Sequence, residues 1–222
     1  MKAIILAGGK GTRLRPITDY VPKPLIPINN TPIIEWQIKY LKRFGVKEVI
    51  ICTGYKTEMI ENYLNMKNLG VKISFSIENS PLGTGGAIKK ASKLIKEKSF
   101  FVINGDVITN IDLKKLSKIN NSIAAIEVRT KFGILDINKN KIKNFKEKKE
   151  ISDVWMNAGL YHLDKDMIKD LPVKGDIEKT TFPNYAKKEK LSTVIFRNVK
   201  WYSIDSFKDM EEASLDVNKI IK

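Results

Sequence analysis

Short apolar runs alternate with longer amphipathic segments through the first half of the chain. The apolar runs are typical of buried strands, and the segments between them repeat apolar residues at helical spacing. Strands are predicted at 2–7, 46–52, 71–77 and 100–103, and helices at 32–45, 56–66 and 84–95. The first of these helices is expected to have Thr31 as its N-cap and Pro32 at its first position. Repeated strand–helix units predict a parallel sheet with helices on both faces.

The pattern changes after residue 110, where strands separated by short charged connections dominate. Strands are predicted at 122–128, 132–137 and 155–163, and helices at 178–187 and 207–220. We find no internal repeat, low-complexity stretch or linker between the two parts. We therefore expect one domain over 1–222, in which 111–222 complete a sheet begun by 1–110. The expected fold class is α/β, a Rossmann-like doubly wound sheet that is mixed but mostly parallel.

Charge and composition narrow the choice of partners. The chain of 222 residues carries a formal net charge of +15, but its lysines are scattered along the whole length. Proteins that read nucleic acid concentrate arginines and aromatic side chains, so no nucleic-acid partner is expected. The single cysteine, Cys52, suits a reducing compartment. No apolar run approaches the ~18–20 residues of a membrane span. With an N-terminus that leads directly into a strand, we expect a cytoplasmic protein with no membrane partner.

Three glycines within four residues follow the first predicted strand. Gly8, Gly9 and Gly11 carry a conformational entropy cost that an ordinary turn does not require. They leave backbone N–H groups free to hold an anion, and Arg13 and Lys23 follow closely in the chain. This pattern indicates a nucleoside triphosphate. The spacing is not that of a P-loop, and position 14 is a leucine where a dinucleotide fingerprint needs a third glycine.

A carboxylate follows another buried strand, in the sequence Val102-Ile103-Asn104-Gly105-Asp106. A carboxylate at such a position is costly unless it meets a cation. Ligands of open α/β sheets bind outside the carboxyl ends of the strands, where the glycine loop also lies. Asp106 is therefore expected to meet a cation, and the alternative is a simple cap of the following turn.

The stretch Leu6-Ala7-Gly8-Gly9-x-Gly11-Thr12-Arg13-Leu14, followed by Pro22-Lys23-Pro24, resembles the opening of the sugar-1-phosphate nucleotidylyltransferases. The resemblance implies that Arg13 and Lys23 are catalytic and that residues 1–110 form a nucleotide-binding half. The loop residues to which it assigns the nucleotide are Leu6, Ala7, Gly8, Gly9, Gly11 and Thr12. A plain glycine-rich loop is the alternative.

The same resemblance implies a Mg²⁺ site. Asn104-Gly105-Asp106 matches the metal aspartate of the family, and Mg²⁺ needs only one or two carboxylates when substrate phosphates supply the other ligands. The second carboxylate is expected in Trp201-Tyr202-Ser203-Ile204-Asp205-Ser206. By strict register Ser203 occupies the aspartate position, but a segment closer to Glu-Ile-Asp in related choline-phosphate enzymes favours Asp205. We expect Asp205 to be the ligand, and an N-cap of the last helix is the alternative.

A second glycine cluster, from Glu78 to Ala87, matches the base-binding segment of the family. Gly83 is expected to let the backbone approach the base, and Glu78 stands where many relatives carry a glutamine. The sequence Gly83-Thr84-Gly85-Gly86-Ala87 is most similar to guanylyltransferases for mannose or heptose 1-phosphate. The start of an ordinary structural helix is the alternative.

The sugar phosphate is expected to bind to residues 111–222. Phe145-Lys146-Glu147-Lys148-Lys149 resembles the family's Phe-x-Glu-Lys-Pro, in which the glutamate holds sugar hydroxyls and the lysine holds the sugar phosphate. The resemblance therefore assigns the sugar phosphate to Gly133, Glu147, Lys148 and Asn157. Taken alone, the segment from 145 to 149 is more typical of a solvated charge run. His162 and Cys52 are expected to be packed core residues.

The predicted activity is Mg²⁺-dependent transfer of a nucleotidyl group from an NTP to a sugar 1-phosphate, with release of pyrophosphate. The expected partners are therefore an NTP and a sugar 1-phosphate, and a homo-oligomer is compatible with the sequence. No C-terminal β-helix domain is expected. Two alternatives stay open: a cytidylyltransferase for phosphocholine or another non-sugar phosphate, and an inactive nucleotide-binding regulatory subunit.

Overall fold

The computed structural model describes residues 1–130, 132–147 and 150–220, with side chains from 153 onward in the last range. The described strands are β1 (Lys2–Leu6), β2 (Pro27–Ile28), β3 (Thr31–Pro32), β4 (Glu48–Thr53), β5 (Lys72–Ile77), β6 (Ser99–Asn104), β7 (Val107–Thr109), β8 (Ser122–Arg129), β9 (Ile134–Asn138), β10 (Lys141–Lys146), β11 (Glu150–Asp164), β12 (Ser192–Ile195) and β13 (Trp201–Ser203). The described α-helices are α1 (Ile17–Tyr20), α2 (Ile33–Arg43), α3 (Thr57–Asn65), α4 (Gly83–Ala91), α5 (Leu113–Leu116), α6 (Thr181–Lys187) and α7 (Phe207–Ile220). Short 3₁₀ helices occupy Thr12–Leu14, Lys23–Leu25, Ser92–Leu94 and Lys165–Asp170.

Seven strands form the central sheet in the order β12-β8-β11-β6-β1-β4-β5. β1 lies between β6 and β4 and is parallel to both, and β5 extends the sheet in parallel beyond β4. β11 is antiparallel to both of its neighbours, whereas β12 is parallel to β8. The expected mixed and mostly parallel sheet is confirmed, and strands from both halves of the chain share it.

Apolar side chains cover both faces of this sheet. Successive side chains of a strand point to opposite faces, so Ile5 of β1 packs with α2 and α3 while Ile4 packs with α4. Both side chains are fully buried. Burial of apolar surface contributes about 25 cal/mol per Å². On each face of the sheet this is the main force that holds the helices in place. The prediction of helices on both faces is confirmed.

Three local expectations were wrong. Thr31 is not an N-cap, because Thr31 and Pro32 pair with Pro27 and Ile28 as a small hairpin and α2 begins at Ile33. The helix predicted from 178 begins at Thr181, because the preceding residues are used in contacts with α4. The strand predicted from 132 begins at Ile134 and pairs with β10 in a separate two-stranded sheet.

Candidate active site

A cleft of about 420 Å³ opens at the carboxyl ends of β1 and β6. The glycine loop after β1, the loop after β6, the start of α4 and the segment between β13 and α7 line it. Gly105 holds two of these segments together, because its N–H donates to the carbonyl of Leu6 at 3.0 Å. A Cβ at position 105 would lie 2.2 Å from the same oxygen, so only glycine fits there. The loops after β1 and β6 therefore meet at the carboxyl edge of the sheet, as predicted.

Backbone hydrogen bonds hold the glycine loop against its neighbours. The Ala7 N–H donates to the Cys52 carbonyl at 2.9 Å, and the Gly8 carbonyl accepts from Tyr55 N–H at 3.2 Å. Gly11 has a φ of 63°, a left-handed conformation that favours glycine. Its carbonyl accepts from Leu14 N–H at 2.9 Å and from Thr18 Oγ1 at 3.0 Å. Gly9 differs, since a Cβ there would meet no atom within 4 Å.

Two carboxylates and two cations meet in this cleft, beside the glycine loop. Lys23 Nζ donates to Asp106 Oδ2 at 2.8 Å and to Asp205 Oδ1 at 2.9 Å. Arg13 Nη1 lies 2.8 Å from Asp205 Oδ2. Residues that are far apart in the chain therefore face one another across a single lysine.

Asp205 reaches this position because β13 pairs antiparallel with β7, directly after Asp106. Ile204 N–H donates to the Asp106 carbonyl at 3.0 Å, which places the next side chain beside the Asp106 carboxylate. The buried Asp209 accepts from the Asp205 N–H at 3.0 Å and so holds its backbone. At the start of α7 it is the hydroxyl of Ser206 that accepts from the Asp209 N–H, at 3.3 Å, as an N-cap does. The geometry therefore favours Asp205 as an open carboxylate rather than as the helix cap.

Burial on its own would raise the pKa of Asp205. The hydrogen bond from Lys23, the charges of Lys23 and Arg13, and a hydrogen bond from Ser203 outweigh this effect and lower the pKa below its usual value. Asp205 is thus ionised at neutral pH. Carboxylate oxygens that converge on one point fit a hard cation such as Mg²⁺. Within the described residues, no group of three or more acids, histidines or cysteines is placed to hold a metal. Phosphate oxygens would have to complete the coordination.

Glu78 and Gly83 lie on the other side of the glycine loop. Glu78 Oε2 accepts from Leu82 N–H at 3.0 Å, and a Cβ on Gly8 would lie 2.8 Å from Glu78 Oε1. Burial raises the pKa of Glu78, partly offset by the Leu82 hydrogen bond and the charge of Lys90. Gly83 has a φ of 74° and begins α4, so it lines the cleft and also starts a structural helix.

The first N–H groups of α4 are bound by a later segment of the chain. Gly85 N–H donates to the Gly175 carbonyl at 3.0 Å, and Thr84 N–H donates to Asp176 Oδ1 at 3.4 Å. Asp176 also lines the cleft, although the sequence alone did not assign it. The only available signal was the pair of acids, Asp176 and Glu178, directly after a glycine.

The predicted sugar-phosphate residues do not come together in the same way. Asn157 lies on β11 with both polar ends bound internally: Nδ2 donates to the Tyr161 hydroxyl at 2.9 Å, and Oδ1 accepts from Gly159 N–H at 2.8 Å. Gly133 and Glu147 flank the two strands of the hairpin, β9 and β10, and neither lines the cleft. Lys148 lies outside the described residues. The sugar-phosphate role of these four residues stays a prediction.

Comparison with known proteins decides the family. The sequence profile of a family described as "Nucleotidyl transferase" matches residues 2–220. The chain belongs to the nucleotidyl transferase family. This confirms the resemblance stated from the glycine loop, and with it the enzyme class.

Two curated relatives of this nucleotidyltransferase are guanylyltransferases. D-glycero-alpha-D-manno-heptose 1-phosphate guanylyltransferase of Campylobacter jejuni is 41% identical over 204 residues, which cover 88% of this chain and 91% of the relative. Mannose-1-phosphate guanyltransferase 2 of Candida glabrata is 38% identical over 226 residues, covering 94% of this chain but 62% of the longer relative.

A solved structure supports the fold. The crystal structure of HddC from Yersinia pseudotuberculosis has a TM-score of 0.77 and 33% identity, and covers 97% of this chain and 98% of its own. The same protein has also been solved in complex with GMP-PN, with a TM-score of 0.76. The expected Rossmann-like α/β fold is thereby confirmed. Among the helices that the structure describes, none has the length and apolar character required to cross a bilayer.

Proposed function

We propose that this nucleotidyltransferase transfers a guanylyl group from GTP to the 1-phosphate of a mannose-type sugar, a hexose or a heptose, and releases pyrophosphate. The observation that carries the proposal is the cluster of Asp106, Asp205, Lys23 and Arg13 in the cleft, beside the glycine loop. Such a cluster supplies charges of both signs where a triphosphate and a divalent cation would meet.

The chain's own residues need only position and stabilise the reacting groups. A sugar phosphate is already a nucleophile at neutral pH, so no protein base is required and catalysis is positioning plus charge stabilisation. Arg13 and Lys23 offset negative charge on the α-phosphate and on the departing pyrophosphate. Asp106 and Asp205 would hold Mg²⁺, which supplies further neutralisation of phosphate charge when bound.

The base preference is supported by Glu78. An ionised carboxylate accepts hydrogen bonds and donates none. The pairing edge of guanine presents two neighbouring donor groups, N1–H and N2–H₂, which suit one carboxylate. Uracil and thymine present one donor between two acceptors, which suits the mixed amide of glutamine better. Glu78 lines the cleft beside Gly8, and the guanylyltransferase relatives agree with this preference.

The test is a matrix of pyrophosphate-release assays over four NTPs and a panel of acceptors. We expect the highest kcat/KM for GTP with mannose 1-phosphate or D-glycero-α-D-manno-heptose 1-phosphate, and dependence on added Mg²⁺. Turnover of CTP with phosphocholine would favour the non-sugar alternative. A lack of turnover with every pair, in a protein that still binds nucleotide, would favour the regulatory subunit.

A matched variant sharpens the test of the base. Glu78→Gln preserves the shape of the side chain but replaces one acceptor with a donor. We expect the ratio of kcat/KM for GTP to that for UTP to fall about tenfold or more, since a hydrogen bond to a charged group contributes roughly 1.5–3 kcal/mol. An unchanged ratio would remove Glu78 from base recognition.

A further inference from the structure

The carboxylate pair of the cleft already has a cation between its oxygens. Lys23 Nζ lies 2.8 Å from Asp106 Oδ2 and 2.9 Å from Asp205 Oδ1. Only 12% of the Lys23 side chain is exposed, against 25% and 24% for the two aspartates. The ammonium is therefore enclosed by the site, whereas Arg13, with 72% of its side chain exposed, approaches Asp205 from outside.

A divalent cation held between Asp106 and Asp205 would meet the same two oxygens. Mg²⁺ binds carboxylate oxygens at roughly 2.0–2.1 Å and tolerates little distortion of its octahedral geometry. It would also meet strong repulsion from an ammonium about 3 Å from the same oxygens, since coulombic energy varies inversely with distance and little water intervenes. The metal and the Lys23 ammonium therefore compete for one position.

The root of Lys23 lies beside the glycine loop. A Cβ built on Gly11 would lie 3.1 Å from Lys23 Cβ, so the lysine stem leaves the backbone next to the loop that lines the cleft. Rotation about the bonds of this stem can move the ammonium toward an anion on the loop without movement of the backbone. Phosphates bound there would give Lys23 a new partner at the moment when the metal takes its old one.

We propose that Lys23 is a resident counter-ion that keeps the carboxylate pair closed to divalent cations until nucleotide phosphates draw its ammonium away. This inference rests on the proposed function for the identity of the nucleotide, but not for the competition itself. Metal and nucleotide then enter the site together, and free divalent cations bind poorly to the protein alone.

The experiment measures Mn²⁺ binding in the absence of any nucleotide, by the electron paramagnetic resonance signal of the free ion. Lys23→Met retains the length of the side chain and removes its charge. We expect this variant to bind Mn²⁺ about tenfold more tightly or better, because the competing cation is gone. Lys23→Arg, which restores a cation, and Lys10→Met, which removes an exposed charge from the same glycine loop, should both bind as weakly as the parent.

Two further measurements separate the inference from other effects. Adding Asp205→Asn to Lys23→Met should abolish the gain, since it removes one of the two carboxylates. Without metal, Lys23→Met leaves the carboxylates facing each other with less compensation. Its melting temperature should therefore rise by about 3 °C or more with Mg²⁺, whereas that of the parent should change little.

The outcomes are independent of the reaction. If Lys23→Met binds Mn²⁺ no more tightly than the parent, the inference is wrong, even if GTP turnover is as proposed. If binding tightens but GTP is not a substrate, the competition holds and the proposed function fails. Lys23→Gln provides the same comparison should the methionine variant fail to fold.

Discussion

The glycine-loop wall and the β9–β10 hairpin are the two regions in which the sequence placed most of its candidate residues, and they differ sharply in how they are held. In the first, backbone hydrogen bonds join Leu6, Ala7 and Gly8 to Gly105, Cys52 and Tyr55, in that order, and Gly11 accepts from Leu14. In the second, the apolar residues Leu135, Ile137, Ile142 and Phe145 are 42–61% exposed. A two-stranded sheet of this kind has little stability of its own.

The difference shows which kinds of residue can be assigned a place in the structure from sequence alone. A glycine required by a close backbone approach or a positive φ cannot be replaced without strain, so it identifies a place in the structure. A lysine or glutamate on an exposed hairpin is solvated in many conformations, so its presence does not identify a place in the structure. The candidates of the glycine-loop wall consequently line one cleft, while Gly133 and Glu147, the described candidates that flank the hairpin, do not.

The strongest test of the glycine-loop wall removes the carboxylates of Asp106 and Asp205. Asp106→Asn preserves the side-chain volume but removes the charge, and we expect turnover to fall about a thousandfold or more because the site loses its cation ligand. Asp205→Asn should behave similarly. The measurement is kcat as a function of Mg²⁺ concentration, with Ser203→Ala as a control that stays close to the parent. A silent Asp205→Asn together with an inactive Ser203→Ala would reverse our assignment of the ligand.

Arg13 provides the second test of that wall. Its guanidinium is largely exposed, so its role is expected in the transition state rather than in folding. Arg13→Ala should lower kcat by roughly 10²–10³, the range for loss of one preorganised electrostatic donor. The melting temperature should stay as in the parent. Turnover within about threefold of the parent would remove Arg13 from the catalytic group.

A pair of glycine substitutions compares the two regions directly. Gly83 has a φ of 74°, and a Cβ there would lie 2.6 Å from the carbonyl carbon of Gly175. Neither the unfavourable φ nor this backbone clash can be relieved by moving a side chain. Gly83→Ala should reduce the free energy of unfolding by about 2 kcal/mol or more. At Gly133 a Cβ would meet the tip of the exposed Phe145 ring, which can move aside.

For this reason Gly133→Ala should change the free energy of unfolding by no more than about 0.5 kcal/mol. Urea denaturation of both variants against the parent provides the measurement. Equal losses would mean that the hairpin is as firmly packed as the wall of the cleft, and the comparison would fail.

The smallest effect is expected at Lys148, where the prediction rests on sequence resemblance alone. If this lysine holds the sugar phosphate, Lys148→Ala should raise KM for the sugar 1-phosphate about tenfold, since a charge-assisted hydrogen bond contributes roughly 1.5–3 kcal/mol. KM for the nucleotide should hardly change. Lys149→Ala is the matched control for general loss of positive charge. Small and equal shifts in both variants would indicate a solvated charge run.

Much of the fold could be predicted because strands and helices of the first half follow simple periodicity. The helix predicted at 207–220 has these same bounds in the structure. Short elements were missed, among them β7 and β13, since three residues hold too little pattern to be recognised. Yet their pairing is what brings Asp205 to Asp106.

The candidate site could be predicted only in part for a related reason. Arg13 follows the glycine loop, Asp106 follows a buried strand, and Lys23 lies in the Pro22-Lys23-Pro24 motif that resembles the family. The connection from Thr84 to Asp176 and Glu178 is long-range, and nothing local in the sequence reveals it. The network that joins Glu178 to Tyr161 and Asn157 is invisible to periodicity for the same reason.

The contact between Ser203 and Asp205 has a consequence for where in the chain the second carboxylate of such a site can lie. Ser203 Oγ donates to Asp205 Oδ2 at 3.1 Å, so the two positions border the same small volume. A lineage that first acquires an aspartate at 203 gains a second carboxylate there before it loses the original one. The site could in this way take its second carboxylate from either of two positions, two places apart along the chain, while the backbone of β13 keeps its course.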